Sequence, residues 1–230
     1  MRGTITKLTL IGALAMASSS AIAATHEVYG KAGFLGAGLG YSYGISEKFT
    51  LRGDVTTAGS FSKNGTSSDF DYKAKLRNNV GTIYGDWFPM NNGFRLTAGL
   101  GVRDTRITAD GRANSSGEVT IGDATIAYGG DDTAHARVKY PSVTPYLGIG
   151  WGHNVGQQAQ AGWGFVADLG VYFGKPKVDF NVSDSVRTKL NAATNGNAQA
   201  EINKQEDEIK DKVEKYKVIP VIYLGASYRF

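Results

Sequence analysis

Large apolar side chains alternate with small or polar ones for about ten residues at a time, and this pattern most limits how the chain folds. In 34–43, Leu35, Ala37, Leu39, Tyr41 and Tyr43 share one face of an extended strand, while Gly36, Gly38, Gly40 and Ser42 share the other. The pattern recurs in 49–56, 94–103, 143–152, 163–174 and 218–230. A seventh segment, about 73–88, is less regular: Arg77 and Asp86 have opposite parity, so both could face inward only across a bulge. An eighth, short strand is expected near Glu27 to Lys31.

A soluble sandwich turns its bulk inward. Here one face carries the bulk and the other is nearly empty, which suits a narrow barrel with large residues toward lipid and small or polar ones toward the lumen. Glycine supplies much of the empty face, at 31 of 230 residues against a usual share of about 7%. After residue 23 no run of 18 apolar residues occurs, so no transmembrane helix is predicted. A membrane structure without such helices has to close its strands into a ring, because hydrocarbon offers open backbone groups no partner. The expected fold is all-β, an eight-stranded antiparallel transmembrane β-barrel with long external loops and a short helix in the last loop.

The first 23 residues read as a secretory signal. Arg2 and Lys7 give the positive start, Leu8 to Ala17 the short apolar stretch, and Ala21-Ile22-Ala23 the small-x-small cleavage site, with Ala21 and Ala23 at its key positions. Residues 24–230 then form the barrel domain. Removing the signal lowers the formal charge from +4 to +2, since it carries Arg2 and Lys7 and no acidic residue. So balanced a chain gives no support to nucleic-acid binding. It has no cysteine, which excludes a disulfide framework and a lipidated N-terminal cysteine.

The connections alternate in length. Gly44 to Lys48, Met90 to Gly93 and His153 to Gly162 are short or moderate, whereas 58–72, 108–137 and 175–216 are long and polar. That asymmetry predicts periplasmic termini and turns with longer external loops. Glu118 to Tyr128 alternates again and is expected to extend strands above the membrane. Over 198–214, Ala198, Ile202, Ile209 and Val213 fall near helical spacing among charged residues, which predicts a helix that either caps the loop or acts as a lid. Tyr41, Tyr43, Trp87, Phe88, Phe94, Trp151, Trp163 and Phe230 lie at expected strand ends, where aromatic girdles form.

Leu224-Gly225-Ala226-Ser227-Tyr228-Arg229-Phe230 ends the chain on an aromatic, with Tyr228 and Phe230 in the positions of a signal for outer-membrane assembly machinery. The mature chain resembles small outer-membrane barrels of the OmpA/OmpW-like kind, and most nearly the carbapenem-associated (CarO-like) group. The likeness rests on Val28-Tyr29-Gly30-Lys31, Thr144-Pro145-Tyr146-Leu147-Gly148-Ile149-Gly150, the stretch from Trp163-Gly164-Phe165 to Pro176-Lys177-Val178, and Lys215-Tyr216-Lys217-Val218-Ile219-Pro220-Val221. The resemblance implies an eight-stranded barrel and a role in uptake of small solutes. It carries over no catalytic residue.

Parity turns Arg52, Asp54, Arg95, Arg103, Asp168 and Arg229 inward, with Tyr146, Tyr172 and Tyr223. Two readings follow. In one, the charges pair into a plug that fills a narrow barrel. In the other, four arginines against two aspartates make a net positive constriction favouring anions. An enzyme is not expected: His26, His135 and His153 lack a serine at close strand spacing on the same face. No cofactor or metal is implied. The sequon matches at Asn64, Asn114 and Asn181 carry no weight in a bacterial barrel. The partners expected are outer-membrane lipids and lipopolysaccharide, the assembly machinery and small hydrophilic solutes. The functional expectation is a porin-like channel governed by Arg52, Arg95, Arg103 and Asp168; the alternative is a closed barrel acting in structure or surface recognition through its external loops.

Overall fold

The computed structural model describes residues 25–66, 70–130, 132–156 and 160–230. The signal segment, with Ala21 and Ala23, lies outside the described residues.

Twelve strands and two helices follow in order: β1 His26–Gly33, β2 Gly36–Ser46, β3 Phe49–Thr66, β4 Phe70–Trp87, β5 Phe94–Ala113, β6 Gly117–Ile121, β7 Ala124–Tyr128, β8 Thr133–Lys139, β9 Val143–Trp151, β10 Gly162–Phe173, β11 Lys177–Val182, α1 Asp184–Ala193, α2 Ala198–Glu214 and β12 Val218–Arg229. Eight of the strands close a ring. β1 through β5 pair in chain order, β5 pairs with β9, β9 with β10, β10 with β12, and β12 returns to β1. Every pairing is antiparallel, and the return of β12 to β1 closes the ring, which leaves it no free edge at the level of the apolar belt. The alternation read from the sequence becomes the two faces of this wall. Leu39, Val55, Ile83, Leu100, Leu147, Phe165 and Leu224 point outward and stand more than half exposed, as a lipid-facing belt requires.

The long polar connections are more structured than expected. β3 and β4 run on as a hairpin, with Ser60, Ser62 and Asn64 opposite Arg77, Lys75 and Lys73. Outside the belt both faces of a ladder are wet, so the ladder persists while the hydrophobic alternation that would betray it fades. β5 also continues, pairing with β8 in the same unbroken register that it keeps with β9. The Glu118–Tyr128 segment does not extend the wall; β6 and β7 form a separate hairpin. The last loop holds β11 and two helices, not one. Ser183 caps α1, its hydroxyl accepting from the Val186 amide at 3.5 Å.

α1 and α2 bury Val186, Leu190, Ala198 and Ile202 against Ile121 and Ile126 of the hairpin, with Phe180 and Val182 packed alongside. Phe180 pairs with Ala136 and Val178 with Val138, which in turn pairs with Ile107. Ile107 shares its parity with Arg103 and Thr105, which point into the barrel. The helices therefore pack on the lumen side of the extended wall.

Three local readings are corrected. Asp86 faces inward and Arg77 outward, and β4 needs no bulge for this; the irregularity lies in β3 between Thr57 and Gly59. Phe88 is buried at the barrel end, because it follows the outward Trp87 and so turns inward. Leu35 does not join the lipid face: the two-residue turn between β1 and β2 tucks it onto the interior core.

Candidate functional site: the packed lumen

Strand parity sends Arg52, Asp86, Arg95 and Asp168 into the barrel from four strands, β3, β4, β5 and β10. They close into a cyclic quartet. Arg52 Nε lies 2.7 Å from Asp86 Oδ2, and Arg52 Nη2 3.1 Å from Asp168 Oδ1. Arg95 Nη1 lies 3.4 Å from Asp86 Oδ1, and Arg95 Nη2 2.8 Å from Asp168 Oδ1. All four side chains are at most 4% exposed. Thr97 donates to Asp86 at 2.6 Å, and Arg95 also donates to the Gly152 carbonyl at 3.2 Å. Each carboxylate thus meets two guanidiniums, the arrangement that makes burial of four charges tolerable.

Above the quartet sits a layer of rings. Tyr84, Tyr146, Tyr172 and Tyr223 pack with Val80 and Val221 into one buried cluster. The Tyr84 and Tyr172 hydroxyls are 3.1 Å apart, and Thr82 bonds Tyr172 at 2.7 Å. The Arg52 guanidinium lies 4.3 Å from the Tyr84 ring centre and the Lys31 ammonium 4.4 Å from that of Tyr223. Lys31 pairs with Asp54, which also accepts from the Tyr29 hydroxyl at 2.9 Å. Higher still, Arg103 Nε donates to Thr105 at 3.0 Å, and Asn78 Nδ2 reaches the Leu35 carbonyl at 2.8 Å.

The near-empty inward face read from the sequence is what admits this filling. A Cβ built on Gly150 would meet the Arg95 guanidinium carbon at 2.6 Å. One built on Gly170 would meet Tyr146 Cζ at 2.5 Å. The glycines make room for large side chains that reach in from neighbouring strands.

The other end is stopped by the β9–β10 turn. His153 in this turn is buried, takes a left-handed φ of 60°, and pairs through Nδ1 with Glu27. Thr50 donates to the His153 carbonyl at 3.2 Å, and Val155 is buried beside Gly44. Ser42 also lies near this histidine, its Oγ 3.4 Å from the same Nδ1. A nucleophilic relay needs the acid and the serine on opposite ring nitrogens. Here both meet one nitrogen and all three side chains are buried, so the cluster is built as a plug.

Of the residues expected to line the lumen, Arg52, Asp54, Arg95, Arg103, Asp168, Tyr146, Tyr172 and Tyr223 are buried inside. Arg229 shares the inward parity of Tyr223 and Ser227 and lies half-buried at the barrel end, near Gly164. Glu27, Lys31, Asp86 and His153 were missed. Asp86 was legible, since counting back from the outward Trp87 places it inside. Lys31 and Glu27 sit in a strand too short to show a clear pattern, and His153 arrives from a turn. With them the interior holds Lys31, Arg52, Arg95 and Arg103 against Glu27, Asp54, Asp86 and Asp168. Of the two readings of the inward charges, this charge-balanced set fits the paired plug and not the net positive constriction.

These features define a closed up-and-down β-barrel of eight strands, apolar outside, with a paired and packed polar interior. No protein-family model matches the sequence, and comparison with curated proteins gives no significant match. Among solved structures, the chain is similar to the crystal structure of Acinetobacter baumannii CarO2, with a TM-score of 0.57 and 19% identity over 89% of this chain and 98% of that one. It is also similar to the crystal structure of Acinetobacter baumannii CarO, with a TM-score of 0.55 and 17% identity over 93% of this chain and all of that one. The fold is a CarO-like small barrel, as the sequence resemblance implies.

Proposed function

We propose that the protein is an outer-membrane barrel whose lumen is shut in its resting form, and that it acts through its external wall and loops. The observation that carries this is the quartet. Four charged side chains from four strands meet through four ion pairs of at most 3.4 Å with almost no exposure, as a lumen shut at that level requires. The exposed apolar belt and the similarity to the CarO barrels support the outer-membrane setting. The same packing speaks against a freely open channel for small hydrophilic solutes, the other reading of the sequence.

Planar-bilayer conductance tests it, using refolded, heat-modifiable protein beside a variant lacking 184–214. Both are expected to be silent, because the seal lies below the helices. Steps in the wild type would establish the channel reading instead. Steps in the deletion variant alone would make α1 and α2 the gate.

A further inference from the structure

Above the apolar belt, the outward face of the wall carries a row of cations in strict register. Arg77 on β4 pairs with Arg106 on β5, Arg106 with Lys139 on β8, and Lys139 with Lys177 on β11. Neighbouring strands lie about 4.8 Å apart, so these four charges span about 14 Å along one level of the barrel. Like charges set directly opposite each other across strands destabilise a sheet. A run of four calls for a counter-charge. Asp104 supplies only part of it, bonding Arg106 at 2.7 Å and lying 3.4 Å from Arg77. Both arginine side chains stay about half exposed (54% and 44%), while Lys139 and Lys177 are exposed with no acidic partner among the described residues. One step further out lie Lys75 and Arg137, the latter directly opposite Asp179.

Directly beneath this row the belt is grooved. Gly53, Gly81 and Gly85 face outward among Leu39, Leu51, Ile83 and Leu100, and leave an open apolar depression of about 1220 Å³. These glycines are not needed by the barrel itself. A Cβ at Gly85 would meet nothing within 4 Å, and one at Gly53 or Gly81 would come no nearer than 3.8 Å to a neighbouring carbonyl oxygen. None of the three has a positive φ. The groove is therefore a feature of the lipid-facing surface. Gly81 is four residues from Arg77 on the same strand, a rise of about 13 Å.

We propose that this wall binds a phosphorylated glycolipid of the outer leaflet, with its phosphates on the Arg77–Arg106–Lys139–Lys177 row and an acyl chain in the glycine groove. The inference rests on the outer-membrane reading above. Charge complementarity selects the occupant. Arginine and lysine at the edge of hydrocarbon suit anionic phosphate, to which guanidinium donates in bidentate fashion. An apolar depression beside that anion suits its chain. A second copy of this protein would bring its own cationic row against this one.

The test titrates the refolded mature chain in detergent with lipid A carrying both phosphates and, separately, with its dephosphorylated form, reading bound lipid by native mass spectrometry. One variant removes the row (Arg77→Gln, Arg106→Gln, Lys139→Gln and Lys177→Gln together). A second fills the groove (Gly81→Leu with Gly85→Leu). The heat-dependent gel shift certifies that each variant is folded. Phosphorylated lipid A is expected to bind the wild type at least about tenfold more tightly than the dephosphorylated form. The row variant should lose that preference, and the groove variant should weaken both lipids. Equal binding of the two lipids by the wild type, or an unchanged preference in the folded row variant, overturns the proposal. So does a dimer in lipid-free detergent that the groove variant abolishes, since a second copy would then own the surface. Sucrose-gradient fractionation of cells tests the outer-membrane reading separately, so failure of one is not mistaken for failure of the other.

Discussion

Arg52 and Arg95 reach across the barrel from strands that are not neighbours and close on the same oxygen: Arg52 Nη2 lies 3.1 Å and Arg95 Nη2 2.8 Å from Asp168 Oδ1. Asp86 completes the cycle from the other side. Such a ring ties β3, β4, β5 and β10 together through their side chains, in addition to the backbone ladder. Removing one member leaves its partners charged and dry. Asp168→Ala is therefore expected to cost about 3–5 kcal/mol. A lower temperature for the heat-dependent gel shift would register the loss. Arg95→Lys should also be costly, because a single ammonium cannot serve Asp86 and Asp168 at once. A variant as heat-resistant as the wild type would mean that the quartet is not a structural seal.

One inward and one outward glycine give a matched pair. A Cβ at Gly170 would press on Tyr146 and come within 2.7 Å of the Leu147 carbonyl oxygen, whereas one at Gly85 would meet nothing within 4 Å. Gly170→Ala is expected to destabilise by about 1–3 kcal/mol through overpacking. Gly85→Ala should leave stability within about 0.5 kcal/mol. Urea midpoints of the two variants in the same detergent would check the contrast.

The sequence carried the barrel and most of its interior for one reason. Where one face meets lipid and the other a narrow lumen, side-chain size alternates and parity can be counted. Arg52, Arg95, Arg103 and Asp168 were legible in this way, and so was α2, whose apolar spacing at Ala198 and Ile202 survives among charges. Pairing was not legible. Nothing local tells Arg52 on β3 that Asp168 on β10 will be its partner, because that depends on ring closure. Part of the ladder beyond the apolar belt was hidden too, since Ser60 to Asn64 pair in regular register with Arg77 to Lys73 with no buried face to mark it. α1 escaped because its apolar anchors are few; only Val186 and Leu190 are buried.

Asp132, in the turn before β8, anchors α1. It is almost fully buried and accepts from Ser185 Oγ at 2.6 Å, Lys189 Nζ at 2.6 Å and the Gly129 amide at 2.9 Å. Burial alone would raise its pKa, but the bonds from Lys189, Ser185 and Gly129 outweigh it and hold the carboxyl below the ordinary value. A carboxyl lowered in the docked form contributes stability above its ordinary pKa, and that contribution is lost as pH falls through the lowered value. Docking of α1 should thus be unchanged from neutral down to the ordinary carboxylate range and weaken only in stronger acid. Asp132→Asn should weaken it at neutral pH. The chain has no cysteine, so spin labels on Thr188→Cys and Thr108→Cys would report one distance without background. A distance that broadens in the Asn variant at pH 7 is the expected result, and a distance unmoved by either change would rule out the anchor.

The His153 stopper has its own test. Its Nδ1 pairs with Glu27, its carbonyl accepts from Thr50, and its ring sits edge-on to Tyr29 with centres 4.4 Å apart. His153→Ala removes the ring and leaves Glu27 as a buried acceptor served by the Ser42 hydroxyl, at 3.3 Å, and by Ser227. The expected cost is about 1–3 kcal/mol for the stranded carboxylate, in addition to any lost packing. Replacing both groups, His153→Ala with Glu27→Ala, removes the stranded charge as well. The double variant should therefore be no less stable than His153→Ala alone, and a double-mutant cycle on heat-modifiability would measure the coupling. Additive losses would mean that the two side chains stabilise the barrel end independently, and that the turn is held by Thr50 and Val155 instead.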